Sequence, residues 1–64
     1  MDIPKRISEI ESQLMDRQLK IGPVLFSAGV DRSSWTRWKQ GIVSPTVAKW
    51  NSVEEAVQQA LRLA

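Results

Sequence analysis

A 64-residue chain with neither cysteine nor histidine has no disulfide and no Cys/His metal site to staple it, so packing alone must hold it together. Folding at this length buries only about 60% of the surface that the unfolded chain exposes, which limits the molecule to one domain. Each large apolar side chain therefore counts. The largest are Trp35, Trp38 and Trp50, and the rest of the pattern has to be read around them.

That pattern is helical. Ile3, Ile7, Ile10 and Leu14 recur at spacings of four, three and four, which predicts an amphipathic first helix over about residues 3 to 18. Gly22-Pro23 suits the start of a second helix, because proline is tolerated in a first turn. Gly29 should end it near Ala28, since glycine takes the left-handed conformation that terminates helices. Asp31 is placed to cap a third helix by accepting from the N–H of Ser33 or Ser34, and Gly41 is its stop. Ser44-Pro45 repeats the cap-plus-proline pattern, and Val47, Trp50, Val53, Val57 and Leu61 continue at helical spacing to the C-terminus. A capping box of Ser52 with Glu55 would start a separate fifth helix, but the unbroken apolar period favours one continuous fourth helix. No strand alternation or repeat is present, so the expected class is an all-α bundle of four helices, with five as the alternative.

Charge is unevenly distributed. Residues 1–20 carry Lys5, Arg6, Arg17 and Lys20 against Asp2, Glu9, Glu11 and Asp16, and are neutral. Residues 21–50 hold Arg32, Arg37, Lys39 and Lys49 against Asp31 alone, giving +3 of the overall +2, the remainder being −1. A positive middle segment is what an anion-binding surface leaves in a sequence. The longest apolar run, Val24-Leu25-Phe26, is far short of the roughly 20 residues that span a bilayer, and the N-terminus alternates charged and apolar residues where a secretory signal needs an unbroken block. Catalysis has little to work with, as no histidine or cysteine base or nucleophile and no glycine-rich phosphate loop occurs. Glu9, Glu11, Glu54 and Glu55 read as solvated charge. No cofactor, metal site or small-molecule substrate is expected, and the chain does not read as an enzyme.

The third helix carries the functional signal. At about 100° per residue, Trp35 and Trp38 fall about 60° apart on one face, at a spacing that reads as core rather than as a base-stacking surface. Ser33, Thr36, Arg37 and Gln40 cluster opposite, with Arg32 and Ser34 on the flanks. That polar face has no acidic side chain, and it offers a guanidinium, hydroxyls and an amide, groups that bond to phosphates and to base edges in the major groove.

The run "IGPVLFSAGVDRSSWTRWKQG", followed by "SP", resembles the DNA-binding domain of the lambda-repressor and Cro-like superfamily of phage and bacterial regulators. The resemblance covers roughly Ile21 to Val57. It rests on the Ala28-Gly29-Val30 turn, with Val30 as the apolar plug, on the Arg37-Trp38 pair, and on Gly41, Pro45, Trp50 and Val53. Leu25 and Trp35 depart from it, adding bulk where the family has alanine and a smaller aliphatic residue.

The resemblance implies a single helix-turn-helix domain over residues 1–64, with the motif at about 21–41, acting as a sequence-specific transcription regulator in the cytoplasm of a bacterial host cell. It implies base contacts from Arg32, Ser33 and Arg37, and supporting base or phosphate contacts from Ser34, Thr36 and Gln40. The backbone N–H groups near Ile21 and Gly22 would meet a phosphate. Lys39 and Lys49 are candidate phosphate contacts by charge. The implied partner is double-stranded DNA bound by a homodimer, whose contact either the first helix or the C-terminal helix would supply, with Leu61 and Leu63 as the apolar candidates. The alternative is a helical protein-interaction module, adaptor or antitoxin-like, working through Phe26, Ile42 and Val43 or the last helix.

Overall fold

The computed structural model describes residues 2–63. Four α-helices, α1 (Ile3–Asp16), α2 (Ile21–Ala28), α3 (Arg32–Gln40) and α4 (Val47–Leu63), account for the regular structure, and no strand occurs among the described residues. The Cα radius of gyration of 10.8 Å agrees with the ~10.7 Å that scaling gives for a compact chain of this length.

Local chemistry sets most boundaries. The Asp2 carboxylate caps α1 by accepting from the Lys5 N–H at 3.1 Å, and Pro4 sits in the first turn. The C-terminal ends of α1, α2 and α3 share one solution: a residue in the left-handed region folds the chain back so that the next N–H reaches a carbonyl five residues earlier. At α2 the Val30 N–H donates to the Leu25 carbonyl at 2.9 Å, and at α3 the Ile42 N–H donates to that of Arg37 at 3.0 Å. Gly29 (φ 73°) and Gly41 (φ 78°) make these turns cheaply, as expected. At α1 the Leu19 N–H donates to the Leu14 carbonyl at 2.8 Å, but the left-handed residue is Gln18 (φ 59°). This turn ends α1 at Asp16, earlier than the apolar period suggests.

The last helix differs from expectation at its start. Ser44 and Pro45 lie in the loop, and Thr46 provides the cap, its hydroxyl accepting from the Lys49 N–H at 3.2 Å. Helix α4 then runs unbroken to Leu63. The Ser52 hydroxyl donates back to the Ala48 carbonyl at 3.1 Å rather than capping a fifth helix. Val47 is 78% exposed, so the buried stripe of α4 begins at Trp50.

Helix α1 packs on α3 and α2 packs on α4, with α2 and α3 meeting at their connection. Between them lie Ile7, Ile10 and Leu14 from α1, Val24 and Leu25 from α2, Val30 from the connection, and the stripe of α4, all buried around the three indoles. Leu25 is accommodated at 3% exposure. The Trp35 ring stacks on Trp50 (6.5 Å between centroids, 12° between planes) and meets Trp38 edge-on (6.3 Å, 65°). Trp50 Nε1 is buried without an acceptor, a cost that its stacking and burial must outweigh.

Two interhelical ion pairs close the bundle. Arg6 grips Glu54 with two bonds, Nε to Oε2 at 3.0 Å and Nη2 to Oε1 at 2.8 Å, joining α1 to α4. Lys39 Nζ lies 2.8 Å from Glu11 Oε1, joining α3 to α1. Glu11 and Glu54 are therefore structural partners rather than the solvated charges expected of them.

The left-handed turns yield a stability prediction. Gln18→Gly relieves the steric cost of a side chain at positive φ and should stabilise the fold by about 0.5–1 kcal/mol, whereas Gly29→Ala should destabilise it by about 1 kcal/mol. Denaturant unfolding followed by circular dichroism checks both signs.

Candidate nucleic-acid interface

Helix α3 begins at an ionised cap. The Asp31 carboxylate accepts from the Ser34 hydroxyl at 2.6 Å and the Ser34 N–H at 3.1 Å. These bonds, with help from the Ser33 hydroxyl, pull its pKa down to about 2. Asp31 thus places a fixed negative charge where the helix dipole is positive, which stabilises α3 and discourages a second anion at the same end.

The outer face of α3 has the composition the sequence predicts. Trp35 and Trp38 are buried at 3% and 6% exposure, and Ser33, Thr36, Arg37 and Gln40 are exposed on the opposite side. Arg37 and Gln40 make no side-chain hydrogen bond or ion pair among the described residues, so their donors face water. Thr36 donates its hydroxyl to the Arg32 carbonyl at 3.0 Å, which leaves its oxygen free to accept. Ser34 is half-buried and engaged in the cap, so it belongs to the scaffold of the helix more than to its outer surface.

The other predicted residues divide between two places. Arg32 lies on the flank of α3 and reaches α2, its Nη1 standing 3.6 Å from where a Cβ on Gly22 would be. The α2 start has no side-chain cap, so the N–H groups of Ile21 and Gly22 lack a side-chain acceptor beside this guanidinium. Lys39 and Lys49 are both engaged internally. Lys49 Nζ donates to the Gly29 carbonyl at 3.0 Å, fastening the α2–α3 connection to α4 and setting a positive charge at the C-terminal end of α2.

Sequence reasoning missed Glu11 here. Its Oε2 accepts from Trp35 Nε1 at 3.1 Å while its Oε1 pairs with Lys39. Burial pushes the Glu11 pKa up, but the hydrogen bonds from Lys39 and Trp35, with the charges of Lys39 and Arg32, outweigh that and hold it below the ordinary carboxylate range. Glu11 lies 24 residues from Trp35 in sequence, a separation that no local pattern reports.

The apolar candidates also separate. Phe26 (89% exposed), Ile42 (67%) and Val43 (47%) are on the surface. Leu61 packs against the core, and Leu63 is exposed. Among the described residues no cluster of three or more acidic side chains could hold a metal ion, and no helix is long and apolar enough to cross a membrane.

Comparison with family models, with curated proteins and with solved structures returns no match.

The Asp31 cap predicts a pH dependence. Its folded pKa is depressed to about 2 from an ordinary value of 3.8, so its stabilising effect is complete above about pH 4 and is lost as pH falls towards 2. Thermal unfolding of the wild type and of Asp31→Asn between pH 2 and 6 should show the difference between them shrinking on acidification, since the amide caps without titrating.

Proposed function

We propose that this chain is a sequence-specific double-stranded DNA-binding regulator of the lambda-repressor and Cro-like kind. In this reading α2, the connection Gly29-Val30-Asp31 and α3 form a helix-turn-helix, with α3 entering the major groove. The observation that carries it is the division of α3 between two faces. The tryptophans anchor one side, while the other presents Ser33, Thr36, Arg37 and Gln40 to solvent, with no acidic side chain within α3 itself. Arg37 is the foremost base-reading residue, because a guanidinium bonds bidentately to guanine and this one has no internal partner.

The positions of the remaining residues refine the roles that the resemblance implies. Arg32 and the free N–H groups of Ile21 and Gly22 make a corner suited to one phosphate, which moves Arg32 from reading bases towards fixing register. Ser33 and Gln40 flank Arg37 as secondary base contacts. One short helix reads only a few base pairs, so a dimer on two half-sites about 34 Å apart is the natural arrangement. With Leu61 packed against the core, exposed Leu63 is the remaining C-terminal apolar candidate for that contact. The role is binding rather than catalysis, in the bacterial cytoplasm.

One observation favours a second reading. Phe26, 89% exposed on α2, is a large apolar side chain that DNA binding does not require. A helical protein-interaction module, adaptor or antitoxin-like, would use it as an anchor.

Salt dependence separates the two. Fluorescence anisotropy of labelled duplex DNA should show log affinity falling with log salt at a slope of about −0.9 for each phosphate neutralised, and a lack of duplex binding even at low salt would sink the DNA reading. Two substitutions then test the division of α3. Arg37→Ala should keep the helical signal but lose roughly 1–3 kcal/mol of discrimination between a selected sequence and random duplex. Trp38→Ala should cost about 3–5 kcal/mol, comparable with the roughly 3–10 kcal/mol total expected for so small a domain.

A further inference from the structure

We infer that Glu11 withholds Lys39 from the phosphate backbone, so that this lysine contributes nothing to the salt-dependent part of duplex binding despite its place on α3. The inference rests on the DNA-binding reading above and sharpens it, because net charge counts Lys39 among the phosphate contacts.

The argument begins with periodicity. Lys39 follows Trp35 by four residues and so shares its flank of the helix, turned towards α1 and away from the centre of the outer face. Glu11 waits there with one oxygen for each donor: Oε2 accepts from Trp35 Nε1 at 3.1 Å, and Oε1 pairs with Lys39 Nζ at 2.8 Å. The indole bond matters because Trp35 is 3% exposed and packed against both Trp38 and Trp50. It fixes the carboxylate in place, so the ion pair requires only the lysine to be ordered.

The alternative state is unfavourable on both sides. The Glu11 side chain is 28% exposed and that of Lys39 49%. If Lys39 left for a phosphate, Oε1 would keep its negative charge, partly withdrawn from water and without that partner. The arriving phosphate would also meet that charge across a short gap. Lys39 and Glu11 therefore behave as one neutral unit at the edge of the interface, which leaves Arg32, Arg37 and the α2 amides as its anion-attracting groups.

The test measures the salt slope of duplex binding for the wild type, Glu11→Gln, Lys39→Ala and the double variant. Glutamine can still accept from Trp35 Nε1, which preserves the anchor. Glu11→Gln should steepen the slope by about 0.9 relative to the wild type and raise affinity for random duplex, because the freed lysine now displaces a counterion. Lys39→Ala should leave the wild-type slope unchanged, and in the Glu11→Gln background it should remove the gain. This last arm separates Lys39 from Arg32, whose charge also acts on Glu11. A slope made shallower by about 0.9 in Lys39→Ala alone would overturn the inference, as would a Glu11→Gln slope equal to that of the wild type. If Glu11→Gln fails to fold, the Lys39→Ala arm still decides the matter. Absence of duplex binding in every folded variant would instead overturn the DNA-binding reading, and the inference with it.

Discussion

Trp35 stacks on Trp50, meets Trp38 edge-on and donates its indole N–H to Glu11, so one side chain ties α3 to α4 and to α1. Each aromatic pair adds about 0.5–1.5 kcal/mol beyond the area it buries. The dependence is strong because α3 has only nine residues and α2 only eight, both below the roughly 12–15 at which an isolated helix becomes even marginal in water. Neither would hold its shape alone. Docking of the indoles supplies the tertiary stabilisation that local propensity lacks, and it also decides which way α3 faces. The exposed positions of Ser33, Thr36, Arg37 and Gln40 follow from where Trp35 and Trp38 are buried.

Long-range polar contacts complete the frame. Arg6 reaches Glu54, Lys49 reaches the Gly29 carbonyl, and Lys39 reaches Glu11, each joining elements distant in sequence. With Arg17 Nη1 donating to the Leu61 carbonyl at 3.2 Å, a cationic chain thus holds four of its basic groups against its own acceptors. The positive middle segment read from the sequence is real as a count, but its accessible charge is narrower than that count. It concentrates in Arg32 and Arg37, the basic side chains of α3 that have no ion-pair partner among the described residues.

What the sequence disclosed and what it concealed follow the same line between local and distant. The periodicity of Ile7, Ile10 and Leu14, the caps at Asp31 and Gly41, and the turn at Gly29 depend on neighbours within a few residues, and all were legible. So was the division of α3, because angle along a helix is itself local arithmetic. The sequence points to Ser44 as the cap of α4 where Thr46 provides it, since both residues are good caps and the preference between them is too small for local chemistry to decide. The end of α1 was hidden because Gln18 occupies a conformation usually given to glycine. Glu11 was illegible for a different reason. A carboxylate on an amphipathic helix looks solvated until the partner helix is docked, and only then do an indole N–H and an ammonium group arrive at its two oxygens.

The central claim is that α3 folds through one face and binds through the other. Titration of the isotopically labelled protein with duplex DNA, followed by NMR, tests it most directly, because the three indole N–H groups report the anchored side separately from the outer backbone and side chains. The account predicts chemical-shift changes concentrated at Ser33, Thr36, Arg37, Gln40 and the Ile21-Gly22 amides, with the indoles of Trp38 and Trp50 left nearly unmoved. Large shifts at those indoles with the outer face silent would contradict it.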